Sequence, residues 1–401
     1  MLFTEDRHEP LKALAWDEGR ALEAIERIVR ETEAQFSPES MWPTHPLDSS
    51  DPTPQYLLYY GASGVIWALH YLEALGAAKL SRDYAPFVEP LLALNKKAMG
   101  REDHPAFAAY LMGDTPIQLL RYGFAPSEAV AAELARLIDA NIDNPVRELM
   151  WGAPGTMLAA LFMHERTGEA RWRQLYRATA RRLWSQLEWS DEFGCHYWTQ
   201  DLYGKRVTYL DAVHGFVATA VPLIHGRHLL DTVEWQDWQD CIANTVRQTA
   251  DREGPMVNWR DYLTPLPSPN RPKLVQMCHG APGFVICLAD FPTDTLDDLL
   301  LGAGETTWHA GPLRKGSNLC HGTGGNGYTF LKLHRRFGDP MWLARARAFA
   351  MHGIAQTEAD FASYGQLRHS LWTGDPGFAI YLWDCIHGGD RFPTLDVFFA
   401  D

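Results

Sequence analysis

The chain has 401 residues, 46% of them hydrophobic and 12% aromatic, enough to bury a large core. Thirty-six Lys and Arg against 50 Asp and Glu leave a formal charge of -14. An acidic surface of that size repels phosphate backbones and anionic lipid, which argues against nucleic acid or a membrane surface as partner.

From the N-terminus, Met1–Glu9 carries charges of both signs and no apolar core of a signal peptide. No stretch approaches the roughly 20 consecutive apolar residues of a membrane span. Six scattered cysteines suit a reducing compartment better than a disulfide scaffold, so the expected location is cytoplasmic. A first helix is predicted over 17–36. A short pattern then recurs seven times along the chain: a glycine, two mostly small residues, usually a second glycine, then an apolar run. The copies are Gly61–Gly64, Gly113–Pro116, Gly152–Gly155, Gly215–Ala218, Gly280–Gly283, Gly322–Gly325 and Gly374–Gly377.

The runs that follow, such as Val65–Leu72, Thr156–Met163, Phe284–Leu288 and Phe378–Trp383, are apolar on all sides, as enclosed helices are. Amphipathic stretches alternate with them, at 127–139, 175–187 and 341–351. In the second, Leu175, Tyr176, Leu183, Trp184 and Leu187 share a face and Arg177, Arg181 and Arg182 lie off it. Seven units of outer helix, glycine loop and inner helix predict an all-α fold: a seven-fold α/α toroid forming one domain over 1–401. A hairpin is expected within 193–209. A Pro-rich loop at 264–272 is a candidate lid or substrate contact.

With each loop preceding an inner helix, all seven gather at one end of the toroid. Two neighbouring copies carry Cys-His immediately before the glycine: Cys278-His279-Gly280 and Cys320-His321-Gly322. Thiolate and imidazole together suit Zn²⁺, and the same motif at equivalent positions of adjacent repeats outweighs a chance pairing. A closed Cys2His2 site would be structural and an open three-ligand site catalytic; the residues alone leave both standing. Cys195, Cys241, Cys287 and Cys385 are assigned to the core as small hydrophobes. His214 precedes Gly215 in the slot of His279 and His321, which makes it a candidate acid or base. Glu148 lies at the edge of the Gly152 loop. Its catalytic reading stands level with that of a solvated or capping carboxylate. Lys315, near Cys320, could attract an anionic substrate group.

These loops, with His214-Gly215, Cys278-His279-Gly280-Ala281-Pro282-Gly283 and Cys320-His321-Gly322-Thr323-Gly324-Gly325-Asn326, resemble the lanthionine synthetase C-like family over roughly Gly61 to Gly377. The resemblance implies a seven-fold toroid holding one zinc through Cys278, Cys320 and His321, with His279 not a ligand. It implies His214 as the acid or base. Its reaction class is addition of a thiol, from glutathione or a peptide cysteine, to dehydroalanine or dehydrobutyrine. Glu148 in place of an aspartate, His279 and Lys315 resemble the branch that uses glutathione, and imply substrate-binding roles for Lys315 and His279. Ala218 departs from the pattern, where a glycine is usual. The expected partners are a thiol and a dehydrated peptide or protein, with the chain acting as a monomer. Two other readings compete: an α/α-toroid glycosidase or epimerase, which would rely on paired carboxylates, and a peptide-binding scaffold whose zinc is structural.

Overall fold

A computed structural model describes residues 1–100, 107–264 and 273–400. Among them helices alternate between two layers. The inner layer comprises α2 (Ala62–Ala74), α4 (Thr115–Phe124), α6 (Ala153–Thr167), α8 (Phe216–His225), α10 (Ala281–Leu288), α12 (Thr323–Phe337) and α14 (Asp375–His387). The outer layer comprises α1 (Glu18–Ala34), α3 (Val88–Ala98), α5 (Glu128–Asn141), α7 (Ala170–Ser185), α9 (Thr232–Gln248), α11 (Asp297–Ala310) and α13 (Pro340–Tyr364). Each inner helix packs on the next, and α14 returns to α2, so the inner layer closes into a ring of seven. None of the helices is long and apolar enough to cross a membrane.

The layers follow from composition. Every residue of α10 is buried, and α6 is buried from Ala153 to Met163, because small and apolar residues surround each axis. The outer helices expose one face, and their ends are set by local chemistry. Asp17, Ser127, Asp231 and Asp339 cap α1, α5, α9 and α13 with their side chains. Gly168, Gly338, Gly365 and Gly388 end α6, α12, α13 and α14 in the left-handed conformation.

Three expectations need correction. The first helix is two residues shorter at its C-terminus than read and starts after its Asp17 cap. On α7 the buried face is Trp172, Tyr176, Thr179, Ala180 and Leu183, whereas Trp184 is 38% exposed and rests edge-on against Trp238. The segment read as one hairpin contributes to two: β1 (Glu188–Ser190) with β2 (Cys195–Tyr197), and β3 (Gln200–Leu202) with β4 (Lys205–Val207). A third hairpin, β5 (Ala250–Glu253) with β6 (Met256–Trp259), went unread. Strands of three or four residues are too short for alternation to register. The Pro-rich loop lies, beyond Thr264, outside the described residues.

The C-terminal tail enters the ring between the inner helices. Phe392, Leu395 and Phe398 are buried there. The Tyr110 hydroxyl donates to the Thr394 carbonyl (2.7 Å), the Trp67 indole to the Phe398 carbonyl (2.7 Å) and the Trp372 indole to Thr394 Oγ1 (3.1 Å). Below it, the buried Lys332 ammonium is ringed by Asp290, Asp390 and Asp396, which offsets the cost of its burial.

Candidate functional site

All seven glycine loops begin inner helices at the same end of the ring. The residue two positions before the first glycine links six of the seven loops into an open girdle, and the fourth joins through Leu149 N–H to the Val213 carbonyl (3.3 Å). Tyr59 N–H donates to the Leu111 carbonyl (3.2 Å) and Leu111 to Met150 (3.1 Å). Cys278 donates to Cys320 (3.0 Å), Cys320 to Trp372 (2.8 Å) and Trp372 back to Tyr59 (3.1 Å). Cys278 and Cys320 therefore occupy the same slot of neighbouring loops whose backbones touch, which is why two cysteines far apart in sequence converge.

In the two cysteine-bearing loops the second glycine of the motif permits this closeness. A Cβ at Gly283 would fall on the Met277 carbonyl, and one at Gly325 on the Leu319 carbonyl, so the helix start can lie against the loop that precedes it. Gly280 adds a positive φ of 96°.

One ligand atom from each of Cys278, Cys320 and His321 lies within 4.8 Å of the other two, with both cysteines buried. The two sulfurs have further partners. Tyr59 Oη donates to Cys320 Sγ (2.8 Å) and Gln276 Nε2 to Cys278 Sγ (2.9 Å). The hydrogen bond from Cys278 first, then His321 and Tyr59, pulls the Cys320 thiol well below its usual pKa against the opposing effect of burial. Cys278, the donor of that bond and fully buried, is pushed up. Burial, reinforced by the two thiols, holds the Tyr59 phenol well above its usual value, so it stays a donor.

Beside this cluster stand two histidine–carboxylate pairs built on one rule. A carboxylate four residues before the glycine of one loop holds the histidine one residue before the glycine of the next. Glu148 Oε2 meets His214 Nδ1 at 2.8 Å, and Asp211 Oδ2 meets His279 Nδ1 at 2.5 Å. Both carboxylates are fully buried. Glu148 also accepts from the Met150 (2.9 Å) and Trp151 (2.6 Å) amides, which removes the reading of a solvated carboxylate. Burial disfavours protonation of His214, but the hydrogen bond and charge of Glu148 outweigh it and leave the pKa raised. His279 is raised in the same way, burial being overcome by the charge and hydrogen bond of Asp211.

His279 is not a member of the three-ligand cluster. Lys315 is exposed and lines a small cleft with His45, Asn318 and Arg368. The Asn318 side chain joins its backbone to the cluster, donating to the Lys315 carbonyl (3.0 Å) and accepting from the His321 amide (3.0 Å). Cys195, Cys241, Cys287 and Cys385 are buried and free, as assigned. Sequence reasoning missed Tyr59, Gln276 and the pairing role of Asp211. The last was accessible: aligned on their first glycines, Asp211 shares the slot of Glu148.

A sequence model of the lanthionine synthetase C-like protein family matches residues 15–397. The glutathione S-transferase LANCL1 of Danio rerio is 34% identical over 139 residues, 32% of this chain and 32% of that protein. The LanC-like protein GCL1 of Arabidopsis thaliana is 41% identical over 87 residues, 20% of each. The matched stretches thus span well under half of either relative. Among solved structures, nisin cyclase superposes with a TM-score of 0.64 over 92% of this chain and 96% of its own, at 13% identity, a likeness of fold. With nearly the whole chain matched, the protein belongs to the lanthionine synthetase C-like family.

Proposed function

We propose that the chain catalyses thioether formation, adding the thiol of glutathione or of a peptide cysteine to a dehydroalanine or dehydrobutyrine residue, with zinc held by Cys278, Cys320 and His321. The observation that carries this reading is the convergence of those three donors beside the Glu148–His214 pair. Two thiols and an imidazole are a donor set suited to Zn²⁺, and three protein ligands leave a position open. When bound, the ion would supply a Lewis acid that makes a thiol ionise at neutral pH.

The protein's own groups account for the rest. The reaction forms a carbon–sulfur bond at the β-carbon of the unsaturated residue and requires a proton at its α-carbon. With Nδ1 fixed on Glu148, His214 exchanges that proton through Nε2, and Glu148 is its positioning residue. Burial of Glu148 keeps water off the bond that fixes the histidine, while His214 stays partly exposed, as a group that meets substrate must. His279, fixed by Asp211, lies on the thiol side and presents its free edge to substrate. Lys315 attracts a carboxylate of the incoming thiol at the rim. The names of the relatives, a glutathione S-transferase and a cyclase, support this reaction class.

The test is zinc per chain together with thiol addition to a dehydroalanine peptide, in wild type and Cys320→Ala. One zinc per wild-type chain, lost with activity in a folded Cys320→Ala protein, is the expected result. Zinc held by four protein ligands, with no acceleration of thiol addition, would replace this reading with the scaffold.

A further inference from the structure

The turn between β3 and β4 carries a residue that its backbone does not favour. Leu202 pairs with Lys205, so the turn is the two residues Tyr203 and Gly204, with φ of 54° and 72°. Two positive φ values in a two-residue hairpin turn favour Asn-Gly or Asp-Gly, and a bulky aromatic in the first place is an outlier. Tyr203 does not recover that strain by entering the core: it is 67% exposed. Strain of this kind clusters at ligand-binding positions.

The ring points at the candidate site. It stands 6.0 Å from the His214 ring, edge-on at 83°, and its hydroxyl accepts from Trp151 Nε1 (3.2 Å), which fixes its direction. Tyr209 flanks the same histidine, its ring 5.7 Å away, and also stands 6.3 Å from His279. His214 thus has two aromatic rings beside it, one half-buried in the wall and one held out on a hairpin.

We propose that Tyr203 is a specificity-determining residue, an aromatic wall against which the flat conjugated amide of a dehydrated peptide residue lies while its α-carbon faces His214. The inference rests on the thiol-addition reading. It extends that reading by making the acceptor a planar unsaturated residue within a peptide, recognised by stacking rather than by charge. A saturated residue at the same place is not flat and loses the contact.

The experiment uses the full-length, zinc-loaded protein without thiol. Its probes are a dehydroalanine peptide and the same peptide with alanine in that position. Wild type is expected to bind the unsaturated peptide more tightly. Tyr203→Asn should weaken it about tenfold, as loss of an aromatic anchor does, and should bring the two peptides level. The same variant should keep zinc content and the KM for thiol, with a Tm equal or higher because asparagine suits the turn. Tyr203→Phe should retain the preference. A lower Tm for Tyr203→Asn with unchanged peptide affinity would make the tyrosine structural and overturn the inference while thiol addition by wild type stands. A wild type that neither binds nor modifies the unsaturated peptide removes the functional reading and this inference together.

Discussion

At the scale of single residues, Glu148 shows how completely one side chain can be committed. Its two oxygens accept from two loop amides and from His214, with no exposure to water. The negative charge cannot be screened by solvent, so it raises the pKa of His214 above the ordinary value near 6.5. A histidine that must deliver a proton works below its pKa, so kcat should fall as pH rises through that raised value. Glu148→Gln keeps the shape and removes the charge, and the fall should move to lower pH with kcat reduced about 10²-fold or more; a pH–rate profile measures both. The stability effect has the same sign. A raised histidine pKa contributes below the unfolded value and is lost as pH rises through the folded one, so the Tm gap between wild type and Glu148→Gln should narrow toward alkaline pH. An unchanged profile would mean that another group supplies the proton.

At the scale of elements, the unit is the glycine loop and the inner helix it starts. The helices were legible because residues apolar all round have only an enclosed place to go. The reason for the second glycine was not, because it lies in a contact with the preceding loop: Met277 for Gly283, Leu319 for Gly325. Gly283→Ala would drive a methyl group into the Met277 carbonyl, next to Cys278. Overpacking of this kind costs about 1–3 kcal/mol, and the shifted carbonyl should carry Cys278 away from Cys320. A lower melting temperature together with a lower zinc content, measured on the same preparation, is expected. The natural Ala218 in the fourth loop shows that the chain tolerates the methyl group there, in a loop that contributes a histidine and no cluster ligand. The surface of α7 was misjudged for the opposite reason. Trp184 is apolar enough to be assigned to the core, yet its place at the edge of the helix face lets it lie half outside, against Trp238.

At the scale of the whole molecule, the ring is closed twice, by α14 against α2 and by the tail inside it. The tail reaches from the Lys332 cluster at one end to Trp372 of the seventh loop at the other, and Trp372 accepts the amide of Cys320. Ending the chain after Gly388 removes, among other buried groups, the large apolar side chains of Phe392, Leu395, Val397 and Phe398. At about 1.5–3 kcal/mol each, their loss is comparable to the entire net stability of a typical domain, about 5–15 kcal/mol. The truncated chain should therefore lose its cooperative thermal transition and its zinc, as circular dichroism and metal analysis would show. A folded, zinc-binding truncation would mean that the helices alone set the loop girdle.

The sequence by itself determined the two-layered helical ring and four metal-ligand candidates, because both are written in repeats: a pattern recurring seven times and a Cys-His-Gly recurring at equivalent places; only the family resemblance set His279 apart from the other three. It also marked His214 through its slot. The tertiary structure alone decided what those residues hold. Asp211 pairs with His279, Tyr59 and Gln276 with the sulfurs, and Tyr203 stands over His214. Apart from the local Gln276–Cys278 contact, each of these partnerships joins different loops or hairpins, so it exists only once the ring brings its loops to one end.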